Sequence, residues 1–279
     1  MPFAETNGIT TYYEIEGVGP TAVLVHGHSA DLRLWAYQAP ALVGAGFRVV
    51  RYDVRGHGHS EKPAIGYRWE DYARDLEGLL DALNIDAAHV VGLSMGGGIA
   101  LQLATEHPGR VVSLALVDSA LPGFVYSQEF SEEIEALVAC VRSEGAPTAL
   151  ERLWLTHPFF DGVRRVPERF ALLREMVLAY AAPDYREGAV PVDYRPQTIE
   201  LLGEITAPTL VVVGEHDVPD FRLIAEVLAN NVPRAHLEVM RDCWHLPPLE
   251  QPDVFNATLI AFLCKVERES NADGHPSYR

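Results

Sequence analysis

The pentapeptide Gly92-Leu93-Ser94-Met95-Gly96 constrains this chain more than any other stretch. An apolar run, Ala87 to Leu93, leads into it and reads as a buried strand. After Ser94 the spacing turns helical, with Ile99, Leu101, Leu103 and Ala104, until His107-Pro108-Gly109 stops it. A serine between strand and helix in G-x-S-x-G form has the pattern of a nucleophile elbow. Such a turn holds its serine in strained backbone. The residues two before and two after it must be small so that strand and helix can approach. The turn lifts the hydroxyl above a sheet and aims the amide of Met95 at the same spot, with the positive end of the helix dipole behind it.

The rest of the chain follows the rhythm this element sets. Ile9–Glu16 is β-branched and aromatic with alternating character and reads as an edge strand, ended by Gly17 and Gly19-Pro20. Continuous apolar runs at 21–25, 47–52, 111–117, 208–213 and 235–240 read as further strands, most of them covered on both faces. Helical patterns lie between them at 32–46, 69–84, 222–230 and 252–266. In the second of these, Tyr72, Leu76, Leu79, Leu80 and Leu83 share one stripe. This alternation predicts a mostly parallel sheet with helices on both faces and right-handed crossovers. From Leu121 to Pro196 strands give way to helical patterns punctuated by Pro147, Pro158, Pro167 and Pro183. The expected organisation is a core of residues 1–120 and 197–266, a helical cap of residues 121–196, and a disordered polar tail, 267–279.

Composition narrows the partners. With 39 acidic against 22 basic residues the formal charge is −17, which argues against nucleic acid and anionic membrane surfaces. No apolar run approaches the length of a membrane span, and the first residues lack a basic stretch followed by an apolar one. The three cysteines, Cys140, Cys243 and Cys264, are widely spaced and without metal-type pairing, which suits free thiols in a reducing compartment. The expected location is cytoplasmic. No phosphate loop, dinucleotide fingerprint or metal-ligand spacing is visible, so the reading calls for no cofactor and no metal.

Catalytic groups in a sheet of this kind collect at the carboxyl ends of strands. Three such ends carry Ser94, Asp217 and His245, in that chain order. His245 would take the serine's proton and return it to the leaving group, while Asp217 would fix the imidazole tautomer. Asp118 also ends a strand and rivals Asp217. His26, His28, His57 and His59 rival His245, yet none of them follows the last strand. An oxyanion needs preorganised N–H donors, assigned to Met95 and to His28 in the loop after His26-Gly27. His26 reads as an anchor for that loop, and Asp53, Arg55, Gly56 and Gly58 read as a hydrogen-bonded turn shaping the edge of the site.

His26-Gly27, Asp53-x-Arg55-Gly56-His57-Gly58-x-Ser60, the elbow, Gly214-x-x-Asp217 and His245-Leu246-Pro247-Pro248-Leu249-Glu250 occur in order over residues 8–264. In these the chain resembles the α/β-hydrolase superfamily, and within it the small serine carboxylesterases and 3-oxoadipate enol-lactonase-like hydrolases. The resemblance implies an α/β-hydrolase fold: a mostly parallel eight-stranded sheet with helices on both faces and a helical cap inserted after strand 6. It also implies the triad and both oxyanion donors at the positions named. Many relatives carry glycine before the histidine, where this chain has Trp244.

Candidate pocket residues are Trp35, Trp154, His157, Phe160, Tyr180 and Trp244, with Phe159 and Met176 beside them in the cap. Such a lining suits a small, largely apolar ester or lactone cleaved through an acyl-enzyme. The same triad also serves carbon–carbon bond hydrolysis of a β-diketone-type substrate. A non-catalytic ligand-binding protein on this fold is a third reading, and a homodimer is one allowed assembly.

Overall fold

The apolar runs form the inner strands of one eight-stranded sheet. The computed structural model describes residues 2–186 and 197–272. The strands are β1 (Phe3–Thr6), β2 (Ile9–Glu16), β3 (Thr21–Val25), β4 (Arg48–Tyr52), β5 (Ala88–Leu93), β6 (Val111–Val117), β7 (Thr209–Gly214) and β8 (Ala235–Met240). Their order is β1-β2-β4-β3-β5-β6-β7-β8. The β1–β2 and β2–β4 pairs are antiparallel and every later pair is parallel. This is the α/β-hydrolase fold.

Every residue of β5 and β7 is buried, because helices cover both faces of the sheet there. Val90 joins the apolar core on one face and Val91 the core on the other, as the two-residue period of a strand requires. At the far edge β8 alternates, with His236, Glu238 and Val239 open to solvent. The helix Trp69–Ala82 buries Tyr72, Leu76, Leu79 and Leu80 on one stripe. The helix Met95–Glu106 is buried through Ala104 and packs against it.

Three expectations shift. Ile9–Glu16 is not the edge strand, since β1 pairs outside it; four residues are too short for alternation to register. The crossover at 32–46 divides into a single 3₁₀ turn, Leu32–Trp35, and the helix Gln38–Gly44. The closing helix runs from Pro252 to Ala272, past Val266, so the first six residues of the expected tail, 267–272, are helical. Glu267 accepts from the buried His89 ring at 3.0 Å, which ties that turn to β5. The remainder of the expected tail, 273–279, lies outside the described residues.

Among the described residues between β6 and β7 the regular elements are helical: Gln128–Glu144, Ala146–Ala149 continuing into a π turn at Leu150–Trp154, then Pro158–Phe160, Asp161–Arg164, Pro167–Ala179, Pro183–Tyr185 and Thr198–Glu204. Each of the four prolines stands in a first helical turn, where its missing N–H leaves no bond unmade. Residues 187–196, the end of the expected cap, lie outside the described residues. No helix among the described residues is long and apolar enough to cross a membrane.

Candidate active site

Ser94 stands at the carboxyl end of β5 with φ 53° and ψ −117°, a left-handed conformation that a serine adopts only when its surroundings hold it there. The restraints are direct. Its N–H donates to the Val117 carbonyl at 2.9 Å, and its carbonyl accepts from Gly97 and Ala120, both at 2.9 Å. The strand and helix it joins approach so closely that a Cβ on Gly92 would lie 2.6 Å from the Gly97 nitrogen. A side chain on Gly27 would likewise meet Leu93 at 2.8 Å and the Ser94 Cβ at 3.3 Å, which places the loop after β3 against the serine.

His245 follows β8 and donates from Nδ1 to Asp217 Oδ2 at 2.8 Å. Asp217 Oδ1 accepts from the Val218 amide, also at 2.8 Å. Phe159 stacks on the imidazole at 3.8 Å between centroids, and Phe221 meets it edge-on at 4.6 Å. Burial under these rings pushes His245 down from its ordinary value to about 4, so the ring is a neutral base at pH 7. Glu250 holds the loop from behind: its two carboxylate oxygens accept from the Trp244 and Leu246 amides, each at 2.8 Å, on either side of His245. Glu250 appeared in the sequence as part of a motif, but its partners come from the fold of the loop.

Asp118 ends β6 and is fully buried, its Oδ1 accepting from the Gly214 amide at 2.8 Å. Polar atoms of Asp118, Asp217 and His245 all lie within 4.8 Å of one another. Burial, then the neighbouring Asp217 charge, pushes the Asp118 carboxyl well above the usual range. A protonated Asp118 can donate to Asp217, which leaves the charge on the carboxylate that faces the imidazole. That spacing also resembles a metal site, but a proton on Asp118 Oδ2, which otherwise has no hydrogen-bond partner among the described residues, accounts for the same grouping. Glu215, His216 and Asp242 form a second such group, exposed on the surface.

Met95 opens its helix, so its N–H lacks an intrahelical acceptor and is free to serve an oxyanion. The loop that brings His28 alongside is anchored by His26, whose Nε2 accepts from Val54 at 2.9 Å while Nδ1 donates to the Gly27 carbonyl at 2.8 Å. Asp53 accepts from the Leu32 and His59 amides at 2.9 and 2.7 Å, and Arg55 pairs with the buried Asp75 at 2.6 Å. The Asp53–Ser60 segment is a braced turn.

Ser94, Met95, His28 and His245 all face one cavity of about 360 Å³. Trp154 and Phe160 line it, as does Phe159, and the Trp154 indole donates to Ser29 Oγ at 2.7 Å. Five other candidates lie elsewhere. Trp35 is fully buried under the sheet near Phe255, because the 3₁₀ turn directs it inward. His157 caps the turn that carries Phe159 and bonds to Glu133 at 3.1 Å. Tyr180 stacks on His57 at 4.3 Å, behind the wall. Met176 is core of the helical segment. Trp244 sits on the outer side of the histidine loop, covered by the Arg165 guanidinium at 4.1 Å. Sequence reasoning missed Tyr126, Phe130, Phe221, Asp184 and Tyr185. Their spacing carries no signal of a shared wall, because three separate stretches, 126–130, 184–185 and the helix holding Phe221, supply them.

The model for the alpha/beta hydrolase fold family matches residues 20–142. The chain is 31% identical over 275 residues to the 2-hydroxy-6-oxononadienedioate/2-hydroxy-6-oxononatrienedioate hydrolase of Paraburkholderia xenovorans, covering 91% of each. Among solved structures it is similar to the enol-lactonase of Burkholderia xenovorans, with 32% identity, a TM-score of 0.81 and coverage of 94% of this chain and 100% of that one. It is also similar to a thermophilic esterase of Thermogutta terrifontis, with 31% identity, a TM-score of 0.81 and coverage of 92% and 94%. The chain belongs to the α/β-hydrolase family.

Proposed function

We propose that the protein is a serine hydrolase that cleaves a carboxylic ester or lactone of a small, largely apolar substrate through an acyl-enzyme. One observation carries this reading: the strained Ser94 and the Asp217-bound His245 open onto the same aromatic-walled cavity. The Ser94 hydroxyl adds to the substrate carbonyl while His245 Nε2 takes its proton. The N–H groups of His28 and Met95 receive the developing oxyanion, each such donor being worth roughly 3 kcal/mol in comparable sites. Collapse breaks the carbonyl–oxygen bond, and the alkoxide leaves with the proton from His245. Water then repeats the sequence on the acyl-enzyme, releasing the acid and restoring Ser94.

The similarity to an enol-lactonase and an esterase supports this chemistry. The similarity to a hydrolase named for an oxononadienedioate favours carbon–carbon bond cleavage as a second reading. Turnover of p-nitrophenyl esters from acetate to long acyl chains separates them. Wild type is expected to hydrolyse the shorter members, and Ser94→Ala to lose at least about a thousandfold in kcat. A wild-type protein inert to every ester, yet active on a β-diketone, would overturn the ester reading.

A further inference from the structure

Resting on the hydrolase reading above, we infer that Asp184 selects the acyl part of the substrate, favouring one that carries a neutral hydrogen-bond donor and excluding one that carries a carboxylate. Among the described residues lining the cavity, Asp184 is the one acid, and neither lysine nor arginine is present. Outside the lining, the Arg55 guanidinium is committed to Asp75 and Arg142 donates from Nε to the Tyr185 carbonyl at 2.8 Å.

Asp184 belongs to the short Pro183–Tyr185 turn, and 12% of its side chain is exposed. The Tyr180 hydroxyl donates to its Oδ1. Its Oδ2 lies 3.3 Å from His28 Nε2, but the ring nitrogen is not aligned for a hydrogen bond and has no such partner among the described residues. Burial works against ionisation here, but the contacts with His28 and Tyr180 outweigh it and hold the carboxyl below its usual range. The cavity therefore contains a carboxylate whose Oδ2, beside His28, makes no hydrogen bond among the described residues, in a wall otherwise dominated by aromatic and aliphatic groups.

Position within the site decides which half of the substrate meets it. The leaving group departs beside His245, where Phe159 and Phe221 line the cavity. Asp184 sits at the His28 end, with Tyr185 stacked on the His28 ring at 5.3 Å, so it faces the acyl portion. A hydroxyl or amide N–H there gains a charge-assisted hydrogen bond. A substrate carboxylate loses its hydration and meets like charge, with neither lysine nor arginine among the described lining residues to pair it.

The test uses three matched series of p-nitrophenyl esters, with acyl chains of four to eight carbons ending in methyl, hydroxyl or carboxylate. For wild type, at least one hydroxy ester is expected to exceed its methyl parent tenfold in kcat/KM, and every carboxylate ester to fall at least a hundredfold below it. In Asp184→Asn, which keeps the shape and the Tyr180 bond, the carboxylate-to-methyl ratio should rise at least tenfold and the hydroxyl-to-methyl ratio should fall. Because each readout is a ratio within one protein, partial loss of folded enzyme does not alter it. Turnover of the methyl series without these wild-type preferences would overturn the assignment alone. Failure to turn over any ester would overturn the ester reading and this assignment with it.

Discussion

Replacing Gly92 by alanine would drive a methyl group into the elbow. The added Cβ would lie 2.6 Å from the Gly97 nitrogen and closer still to the Gly96 carbonyl, whereas ordinary contacts begin near 3.4 Å. Both neighbours are backbone, so no side chain can swing aside. Relief of the 2.2 Å contact with the Gly96 carbonyl oxygen requires strand and helix to separate by about 1.2 Å, an overpacking strain of about 1–3 kcal/mol. Between them stands Ser94, and the first residue of the helix is Met95, whose amide is one of the two proposed oxyanion donors. Misplacement on the order of 1 Å at a reacting centre costs about a hundredfold in rate. Gly92→Ala should therefore lower kcat on p-nitrophenyl acetate about a hundredfold and Tm by roughly 2–10 °C. Gly109→Ala, whose methyl would meet nothing within 4 Å, serves as the control for both measurements. A Gly92→Ala protein with wild-type kcat and Tm would refute the close-packed elbow and the role given to Met95.

Two further outcomes concern the proton path. Because burial holds His245 near 4, the acid limb of kcat/KM should lie below the ordinary histidine value of 6.5, activity falling as the ring gains a proton. Phe159→Ala admits water to one face of that ring and should move the limb upward by about one unit; a limb that stays in place would separate the low value from Phe159. Asp217→Asn should lower kcat by about 10⁴-fold, the scale seen when such an acid is lost elsewhere, while Asp118→Asn should cost less than about tenfold, since an amide still donates to Asp217. The reverse order in the two pH-rate profiles would make Asp118 the acid.

The core was legible because its information is local. Each inner strand announces itself as an unbroken apolar run, and the helix 69–82 by its stripe. The order of Ser94, Asp217 and His245 could be read because each follows a strand, and parallel strands bring their carboxyl ends together without further instruction. β1 escaped notice because its four residues make sense only once the Asn7-Gly8 turn has brought β2 back beside them. Pocket walls were the least legible part. Trp35 looked promising for its nearness in sequence to the His28 loop, but its direction depends on Phe255, far away in the chain. Asp184 and Phe221 gave no sign of a shared cavity, since one lies in the Pro183–Tyr185 turn and the other in the helix after β7. Trp244 differs from the glycine common at its position, and it is accommodated outside the site because Arg165, at the end of the helix Asp161–Arg164, covers it.

The rivalry between Asp118 and Asp217 has a physical resolution that residue types alone do not contain. Both carboxyls end adjacent strands, β6 and β7, so the sheet necessarily places them side by side in a dry region. Two carboxylates that close cannot both keep a charge, and a shared proton must settle on one. Asp217 offers the better seat for the charge: it accepts from the Val218 amide and from the imidazole, whereas Asp118 accepts from the Gly214 amide alone among the described residues. With the proton on Asp118, its second oxygen becomes a donor toward Asp217 rather than an unpaired acceptor. The chain thus has one acid that faces the histidine and a second that holds the first in place. Their roles are set by which backbone amides each carboxylate reaches.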